Sequence, residues 1–233
     1  MKHLKTLLVA TALVTNLFSG IAQSKTKSYS FNKGEVLDII FLTTKPDVKQ
    51  KIQHYFKTAF PVAERLGYHS LKGFTIKESP TLGNYHPQAM IFGYWNDLNG
   101  RQKFLETIEQ TMPDFHQERR NIWSTFDLTY YEMKENTSFE INTEKHNVVT
   151  SYWQKDPKAF QEYIKELEQK VRKAGGLIKV VLTNGRSPKG YYHNPDYLTI
   201  IEWRDPSTFE KFYAENLTQH HPSVLQVNQF KIN

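Results

Sequence analysis

The chain has 233 residues, of which 39% are hydrophobic and 23% are charged, with a formal net charge of +6. This composition is typical of a globular protein and excludes a disordered or fibrous one. Cysteine is absent, which excludes disulfides, thiolate metal sites, cysteine nucleophiles and a lipid-modified N-terminal cysteine. Positive and negative charges are mixed along the chain, as in KELEQKVRK, so we predict no nucleic-acid partner.

Residues 1–22 have the pattern of a signal peptide. Two lysines precede an apolar run that ends in small residues, and Gly20 and Ala22 suit the −3 and −1 positions of a cleavage site. The run is too short and too often interrupted by Thr and Asn to predict a membrane span. We therefore expect an exported protein, periplasmic or secreted, whose mature chain has no integral membrane segment. The alternative is an ordinary amphipathic N-terminal helix.

Residues 23–135 are predicted to form a β-α-β-β-α-β unit. Apolar periodicity and turn residues indicate, in chain order, the strand VLDIIFLT, the helix PDVKQKIQHYFKTAFPVAERLG, the strands LKGFTIKE and QAMIFGYW around a long hairpin, the helix DLNGRQKFLETIEQTM and the strand STFDLTYYEM. Pro61 is expected to kink the first helix or to start a new turn.

Residues 136–233 repeat this order. The predicted elements are the strand NVVTSYW, the helix DPKAFQEYIKELEQKVRKAGG, the strands LIKVVLTN and DYLTIIEW, the helix DPSTFEKFYAENL and the strand VLQVNQFKI. Asp156 suits the N-cap of the long helix, and Pro157 suits its first turn. The polar segment KENTSFEINTEKH is interpreted as the joint between the two units.

The two units have the signature of a tandem duplication. When the sequence is shifted by 108 residues, Tyr55 falls on Tyr163 and Trp95 on Trp203. The segment GNYHP then falls on GYYHNP with a gap of one residue. Two copies are too few for a solenoid.

The element order β-α-β-β-α-β is that of the ferredoxin-like fold, which places helices on one face of an antiparallel sheet. The strands VLDIIFL, LTIIEW and IKVVL are apolar in both alternating phases, so both faces of each sheet are predicted to be buried. We therefore predict an α+β protein in which two ferredoxin-like sheets pack face to face with helices outside. This is an intramolecular pseudo-dimeric α+β barrel, and whether it forms a further oligomer is left open.

The segments DPKAFQEY, KAGG, YLTIIEW and DPSTFEKFY carry a resemblance to a known group of proteins. The chain after the leader resembles two copies of the dimeric α+β barrel superfamily, and its second copy resembles an uncharacterised small-domain family of that group. The superfamily includes cofactor-independent monooxygenases, haem-degrading enzymes, isomerases and binding proteins. The resemblance implies a central cavity between sheet and helices, but no particular reaction.

The duplicated Tyr-His pair supplies the first candidate site residues. His86 and His193 are candidate catalytic residues because imidazole exchanges protons near neutral pH. Tyr85 and Tyr192 beside them are candidate ligand-binding residues. The alternative is that both pairs only pack a long hairpin, since duplication preserves turns as well as sites.

Two further pairs occupy matching places in the copies. Trp95 and Trp203 end the third strand of each unit and are candidates for ligand stacking, with burial in the core as the alternative. His116 and His220 follow the second helix and are candidate ligand-binding residues. In haem-degrading relatives a histidine of this region ligates iron, but the accompanying Asn-Trp-His set is not found here. We therefore predict no metal and no resident cofactor, with haem as the one alternative.

The aromatic content of 14% suits a cleft lined by rings. The leading hypothesis is that the protein binds a small apolar or aromatic molecule in the barrel cleft. The alternatives are a cofactor-independent monooxygenase or isomerase with a histidine base, and a structural or partner-binding protein.

Overall fold

The structure is a computed structural model that describes residues 25–216 and 221–233. The predicted signal peptide lies outside the described residues. No helix in the described ranges has both the length and the apolar character needed to cross a membrane.

The described chain is an α+β protein. Its elements are β1 (Thr26–Phe31), β2 (Val36–Thr44), α1 (Lys49–Arg65), β3 (Tyr68–Thr75), β4 (Ala89–Trp95), α2 (Leu98–Thr111), α3 (Phe115–Ile122), β5 (Trp123–Glu132), β6 (Thr137–Asn142), β7 (His146–Gln154), α4 (Pro157–Lys173), β8 (Leu177–Thr183), β9 (Tyr197–Trp203), α5 (Pro206–Asn216) and β10 (Val224–Ile232).

Two four-stranded antiparallel sheets follow the same order of strands. The first sheet has the order β3-β4-β2-β5 and the second has the order β8-β9-β7-β10. The strands and long helices predicted from the sequence are present within a few residues of the predicted bounds. Asp97, Asp156 and Asp205 each accept a hydrogen bond from the backbone of the following helix, as N-caps do. Pro61 lies inside α1, which continues past it to Arg65.

The inner faces of the two sheets share one apolar core. Its buried side chains come from both sheets and include Leu37, Ile39, Phe41, Met90, Phe92 and Tyr131 of the first and Val149, Val180, Leu182, Leu198, Ile200 and Phe230 of the second. The helices pack on the outer faces, where they form separate clusters with the opposite side chains of the strands. The prediction that both faces are buried is therefore confirmed for the central strands β2 and β9. It is wrong for the edge strand β8, where Val181 is 37% exposed.

An antiparallel ribbon of β1 and β6 was missed by the sequence analysis. The segment interpreted as a polar joint contains β6, which pairs with β1 along its whole length. Only Phe139 and Ile141 of β6 are buried, so the strand offers just two apolar side chains as a signal. The ribbon lies against the edge of the first sheet, where Tyr29 donates to the carbonyl of Lys72 over 2.7 Å.

Each long hairpin loop of one sheet lies on the edge strand of the other. In the loop 76–88, Thr81 donates its backbone N–H to the carbonyl of Gln229 in β10 over 2.9 Å. In the loop 184–196, Arg186 and Tyr130 of β5 exchange backbone hydrogen bonds of 2.7 and 3.1 Å. These contacts cover the edges of β5 and β10, which would otherwise present unpaired backbone groups.

The two glycines of the duplicated motif test this arrangement. Gly83 has a φ of +76° and Gly190 a φ of +93°, so an alanine at either position is strained by about 1 kcal/mol. A Cβ at Gly83 would also lie 2.6 Å from the carbonyl oxygen of Val227, whereas a Cβ at Gly190 meets nothing within 4 Å. We expect Gly83→Ala to lower the free energy of unfolding by at least about 2 kcal/mol and Gly190→Ala by about half of that, measured by urea denaturation. Equal losses would contradict the close packing of the loop 76–88 on β10.

Candidate functional site

A cleft lies between the outer face of the second sheet and the helices α4 and α5. It is lined by Val148, Thr150, Tyr152, Leu167, Glu168, Val171, Ile178, Tyr197, Thr199, Ile201, Trp203, Phe209, Phe212 and Gln229, and we call it the second-half cleft. Its free space is about 30 Å³, which is room for one or two water molecules. The lining is mainly apolar, with a few polar groups, as in small-molecule sites.

Strand alternation places these side chains on one face. In β7 the even-numbered residues from Val148 to Tyr152 line the cleft, and in β9 the odd-numbered residues from Tyr197 to Trp203 do so. Of the intervening residues, Val149, Leu198 and Ile200 belong to the core between the sheets. Every residue of β9 is buried, because this strand is covered on both faces.

Most polar groups of the cleft have partners. Tyr197 donates its hydroxyl hydrogen to Oε1 of Glu168 over 2.8 Å, and Gln229 donates to Oγ1 of Thr150 over 2.9 Å. Burial, assisted by the hydrogen bond to Glu168, raises the pKa of the Tyr197 phenol well above its ordinary value. The Tyr197 hydroxyl therefore stays protonated at neutral pH.

The indole N–H of Trp203 is the exception. Trp203 is 1% exposed, and its Nε1 atom has no hydrogen-bond partner among the described residues. An unpaired buried donor costs about 1–3 kcal/mol. Trp203 therefore brings to the cleft lining an indole donor that has no acceptor in residues 25–216 and 221–233.

In the first half of the chain, the first sheet and its helices, the indole N–H of the corresponding Trp95 has a hydrogen-bond partner. Trp95 donates its Nε1–H to Oδ2 of Asp38 over 3.0 Å, and Arg101 donates its Nε–H to Oδ1 of the same carboxylate over 2.7 Å. The guanidinium of Arg101 lies 3.9 Å from the ring centroid of Tyr130. All three members of the Trp95–Asp38–Arg101 network are buried. This network fills the position that is open in the second half.

The second half has apolar residues at both polar positions of that network. Val36 pairs with Trp95 and His146 with Trp203, so the register aligns Asp38 with Val148. Arg101 aligns with Phe209, four residues after the N-cap of its helix. These positions were not predicted, because the shift of 108 residues places Asp38 on His146, and only the strand register aligns Asp38 with Val148.

The two Tyr-His motifs each contribute one residue to a contact between Tyr85 and His193. Their rings stack with centroids 5.2 Å apart in the space between the sheets. Tyr85 donates its hydroxyl hydrogen to Oδ2 of Asp127 over 2.7 Å. Thr129 contacts His193 through its hydroxyl, which lies 3.2 Å from Nδ1 and donates to the carbonyl of the same residue. The Nε2 atom of His193 has no partner among the described residues.

The other members of the two motifs lie on the surface. His86 is exposed, and Tyr192 is 84% exposed. The second motif has one extra residue, Asn194, between its histidine and its proline. In this motif Tyr191, which precedes Tyr192, is the buried tyrosine. None of these motif residues lines the second-half cleft.

Burial controls the protonation of His193. It lowers the pKa of the imidazole to about 4, and the negative charge of Asp127 offsets only part of this effect. His193 is therefore neutral at pH 7, and Tyr85 beside it also stays protonated because burial and Asp127 raise its pKa.

The remaining predicted residues have separate positions. Trp95 belongs to the core of the first half. His116 in α3 lies 2.7 Å through Nδ1 from the hydroxyl of Tyr191 and 3.3 Å through Nε2 from Oε1 of Glu109. His220 lies outside the described residues, and the following His221 stacks on Tyr163 at 4.5 Å.

The described residues do not fit a haem group in the second-half cleft. The cleft lining contains no histidine that could ligate the iron. In the described ranges, no three His, Asp or Glu side chains are grouped so that they could hold a metal ion.

The chain is similar to known proteins in three-dimensional structure but not in sequence. Searches of protein-family models and of curated proteins found no match to the chain. A mutant chlorite dismutase from Candidatus Nitrospira defluvii is 13% identical with a TM-score of 0.48, covering 87% of this chain and 93% of that one. An anthrone oxidase-like protein is 16% identical with a TM-score of 0.47, covering 88% and 94%. Because each TM-score is below 0.5, neither likeness carries an argument about function.

The environment of His193 predicts a pH dependence of stability. Its pKa is about 4 in the folded chain and near 6.5 in the unfolded chain, so between these values the unfolded chain binds more protons. The contribution of neutral His193 is complete above pH 6.5 and is lost as the pH falls towards 4. We expect this loss to be on the order of 3 kcal/mol of unfolding free energy.

Urea denaturation at pH 7, 5.5 and 4 measures this contribution. The curve for His193→Phe should fall less steeply with acidification than that of the unchanged protein. His86→Gln, at the exposed histidine of the other motif, is the matched control and should leave the slope unchanged. Parallel curves for the unchanged protein and His193→Phe would show that His193 titrates alike in both states.

Proposed function

We propose that the protein binds a small apolar or aromatic molecule with one hydrogen-bond acceptor in the second-half cleft. The observation that carries this proposal is the unpaired indole N–H of Trp203 in an apolar cleft. A carbonyl or ether oxygen of the ligand would accept this hydrogen bond. The rings of Trp203, Phe209 and Phe212 offer contact surface for a flat molecule.

Pairing the indole N–H provides selectivity. A ligand that removes an unsatisfied donor gains about 1–3 kcal/mol over a ligand of the same shape without the acceptor. This corresponds to roughly 5- to 150-fold in affinity. The free space must widen for such a ligand, so binding selects a conformation in which α5 or the aromatic side chains have moved outward.

We further propose that the chain arose by tandem duplication and that it is exported. The common element order and strand order of the two sheets support a tandem duplication of a ferredoxin-like unit, which gives a pseudo-dimer within one chain. We also propose export, on the basis of the residue order in 1–22. The ligand would then be met outside the cytoplasm.

A second candidate function is cofactor-independent oxygenation or isomerisation. A base in the cleft is required, and Glu168, hydrogen-bonded to Tyr197, is the carboxylate that lines it. Because the cleft is lined by Glu168 and by no histidine, this carboxylate is favoured over a histidine as the base. Loss of turnover in Glu168→Gln with retained ligand binding would support the enzymatic function.

The binding proposal is tested with pairs of ligands that differ in one acceptor, such as indan-1-one and indane. We expect indan-1-one to bind at least about fivefold more tightly than indane to the unchanged protein, because only the ketone pairs with Trp203. Trp203→Phe should abolish this preference. The measurement is a titration followed by ¹H–¹⁵N NMR, in which the indole N–H resonance of Trp203 should shift on ketone binding.

Trp95→Phe is the matched control, because that indole is already paired with Asp38. It should leave the ligand preference unchanged. Val148→Asp, which restores the acceptor of the first half, should remove binding of both ligands. Equal affinities for the ketone and the hydrocarbon, or a Trp203 resonance that does not move, would refute the proposal.

A further inference from the structure

A buried arginine lies in a cage of aromatic rings on the outer face of the first sheet. Arg119 in α3 is 7% exposed, and its guanidinium carbon lies 4.1 Å from the ring centroid of Phe115 and 4.2 Å from that of Phe126. Its Nε–H donates to the hydroxyl of Tyr55 over 2.7 Å, and its Nη1 donates to the hydroxyl of Tyr191 over 2.8 Å. Two phenol oxygens and two phenyl faces therefore surround the cation.

The charge of Arg119 has no carboxylate partner in the described part of the chain. The described ion pairs include the buried pair of Arg101 and Asp38, but none involves Arg119. Buried charges in proteins are usually paired with an opposite charge, because leaving water costs several kcal/mol per ion. Cation–π contacts and phenol dipoles offset part of this cost. A full negative charge would be attracted to this place.

A histidine adjoins the cage. The oxygen of Tyr191 accepts from Arg119, so its own hydrogen can be donated to Nδ1 of His116, 2.7 Å away. Nε2 of His116 lies 3.3 Å from Oε1 of Glu109, which favours the tautomer with hydrogen on Nε2 and leaves Nδ1 as the acceptor. Glu109, His116, Tyr191 and Arg119 thus form a continuous chain from the surface to a buried cation.

The surroundings of His116 favour its neutral form. Burial lowers its pKa, as do the positive charges of Arg119 and Arg120, while Glu109 raises it. His116 is therefore neutral at pH 7 and able to accept a proton. Its side chain is 34% exposed and can exchange protons with solvent, whereas Tyr191 and Arg119 are buried.

The cluster requires both halves of the chain. Arg119 and His116 lie in α3, which is inserted between α2 and β5, whereas Tyr191 lies in the loop 184–196 that crosses from the second half. In the second half, α5 and β10 are separated only by residues 217–223. The cluster is separate from the second-half cleft, because it lies on the first sheet.

We propose that Arg119, Tyr55, Tyr191 and His116 form a second site, which binds a small organic oxyanion of the phenolate or carboxylate class. When the ligand arrives as its acid, the O–H proton of the ligand passes to the hydroxyl of Tyr191 as the Tyr191 proton passes to Nδ1 of His116. The products are the ligand oxyanion beside Arg119 and an imidazolium beside Glu109. No electrons are exchanged in this step, and the charges balance.

The probe for this site is 4-nitrophenol, because its phenolate absorbs in the visible region and its phenol does not. At a pH one unit below the pKa of free nitrophenol, titration with the unchanged protein should increase the phenolate absorbance. 4-Nitroanisole, which has the same ring but no ionisable proton, should bind at least about tenfold more weakly, since charge-assisted hydrogen bonds to arginine are lost.

Variants identify the residues. Arg119→Gln should weaken nitrophenolate binding at least about tenfold. Arg120→Gln, at the neighbouring exposed arginine of the same helix, is the matched control and should change it less than twofold. Tyr191→Phe and His116→Gln should each weaken nitrophenolate binding below the pKa of nitrophenol at least about fivefold, and so reduce the increase in phenolate absorbance, because each variant removes a hydrogen-bonding group of the site. Trp203→Phe should change none of these results, which separates this site from the second-half cleft.

Circular dichroism and thermal unfolding establish that each variant is folded. If Arg119→Gln is unfolded, Tyr191→Phe decides the question, because it removes one oxygen and retains the ring. The proposal is overturned if the unchanged protein gives no phenolate signal at millimolar nitrophenol. Equal effects of Arg119→Gln and Arg120→Gln, or an unchanged signal in Tyr191→Phe, overturn it as well.

Discussion

The burial of two apolar sheet faces against one another is the interaction on which the rest of the structure depends. Leu37, Ile39 and Phe41 of the first sheet share their cluster with Val149, Ile200 and Phe230 of the second. Neither sheet can expose this face to water, because it would lose the largest favourable contribution to folding. The loops, the ribbon and both candidate sites lie around this shared core.

The shared core leaves the outer layers of the two halves free to differ. In the first half the layer between sheet and helices is filled by the Trp95–Asp38–Arg101 network and by Arg119 among its aromatic rings. In the second half the layer has a tryptophan at the corresponding place but no such ion pair, and the indole N–H has no partner among the described residues. Electrostatics therefore distinguishes two units that have the same topology: buried charges occupy this layer in the first unit, whereas the second unit has mainly apolar side chains there.

The sequence predicts the repeated elements well because long apolar strands and capped helices have strong local signals. It does not predict β1 and β6, since Phe139 and Ile141 are too few to distinguish a strand from a polar linker. The one-residue difference between the two Tyr-His motifs was visible, but its consequence depends on how each loop meets the opposite sheet. The cluster around Arg119 was not predictable, because Tyr55, Arg119 and Tyr191 come from three distant segments that only the tertiary structure brings together.

The hairpin loops that cross between the sheets favour association of each half of the chain with the other half. Loop 184–196 is hydrogen-bonded to β5, and loop 76–88 is hydrogen-bonded to β10. Each half therefore has a loop that pairs with an edge strand of the other half. If the backbone were cut between β6 and β7, the two fragments would still contain these loops and the apolar sheet faces. The fragments could then reassemble by fragment complementation. Each fragment would also meet copies of itself with a similar sheet. The covalent link prevents such homotypic pairing by keeping the correct mate at high effective concentration.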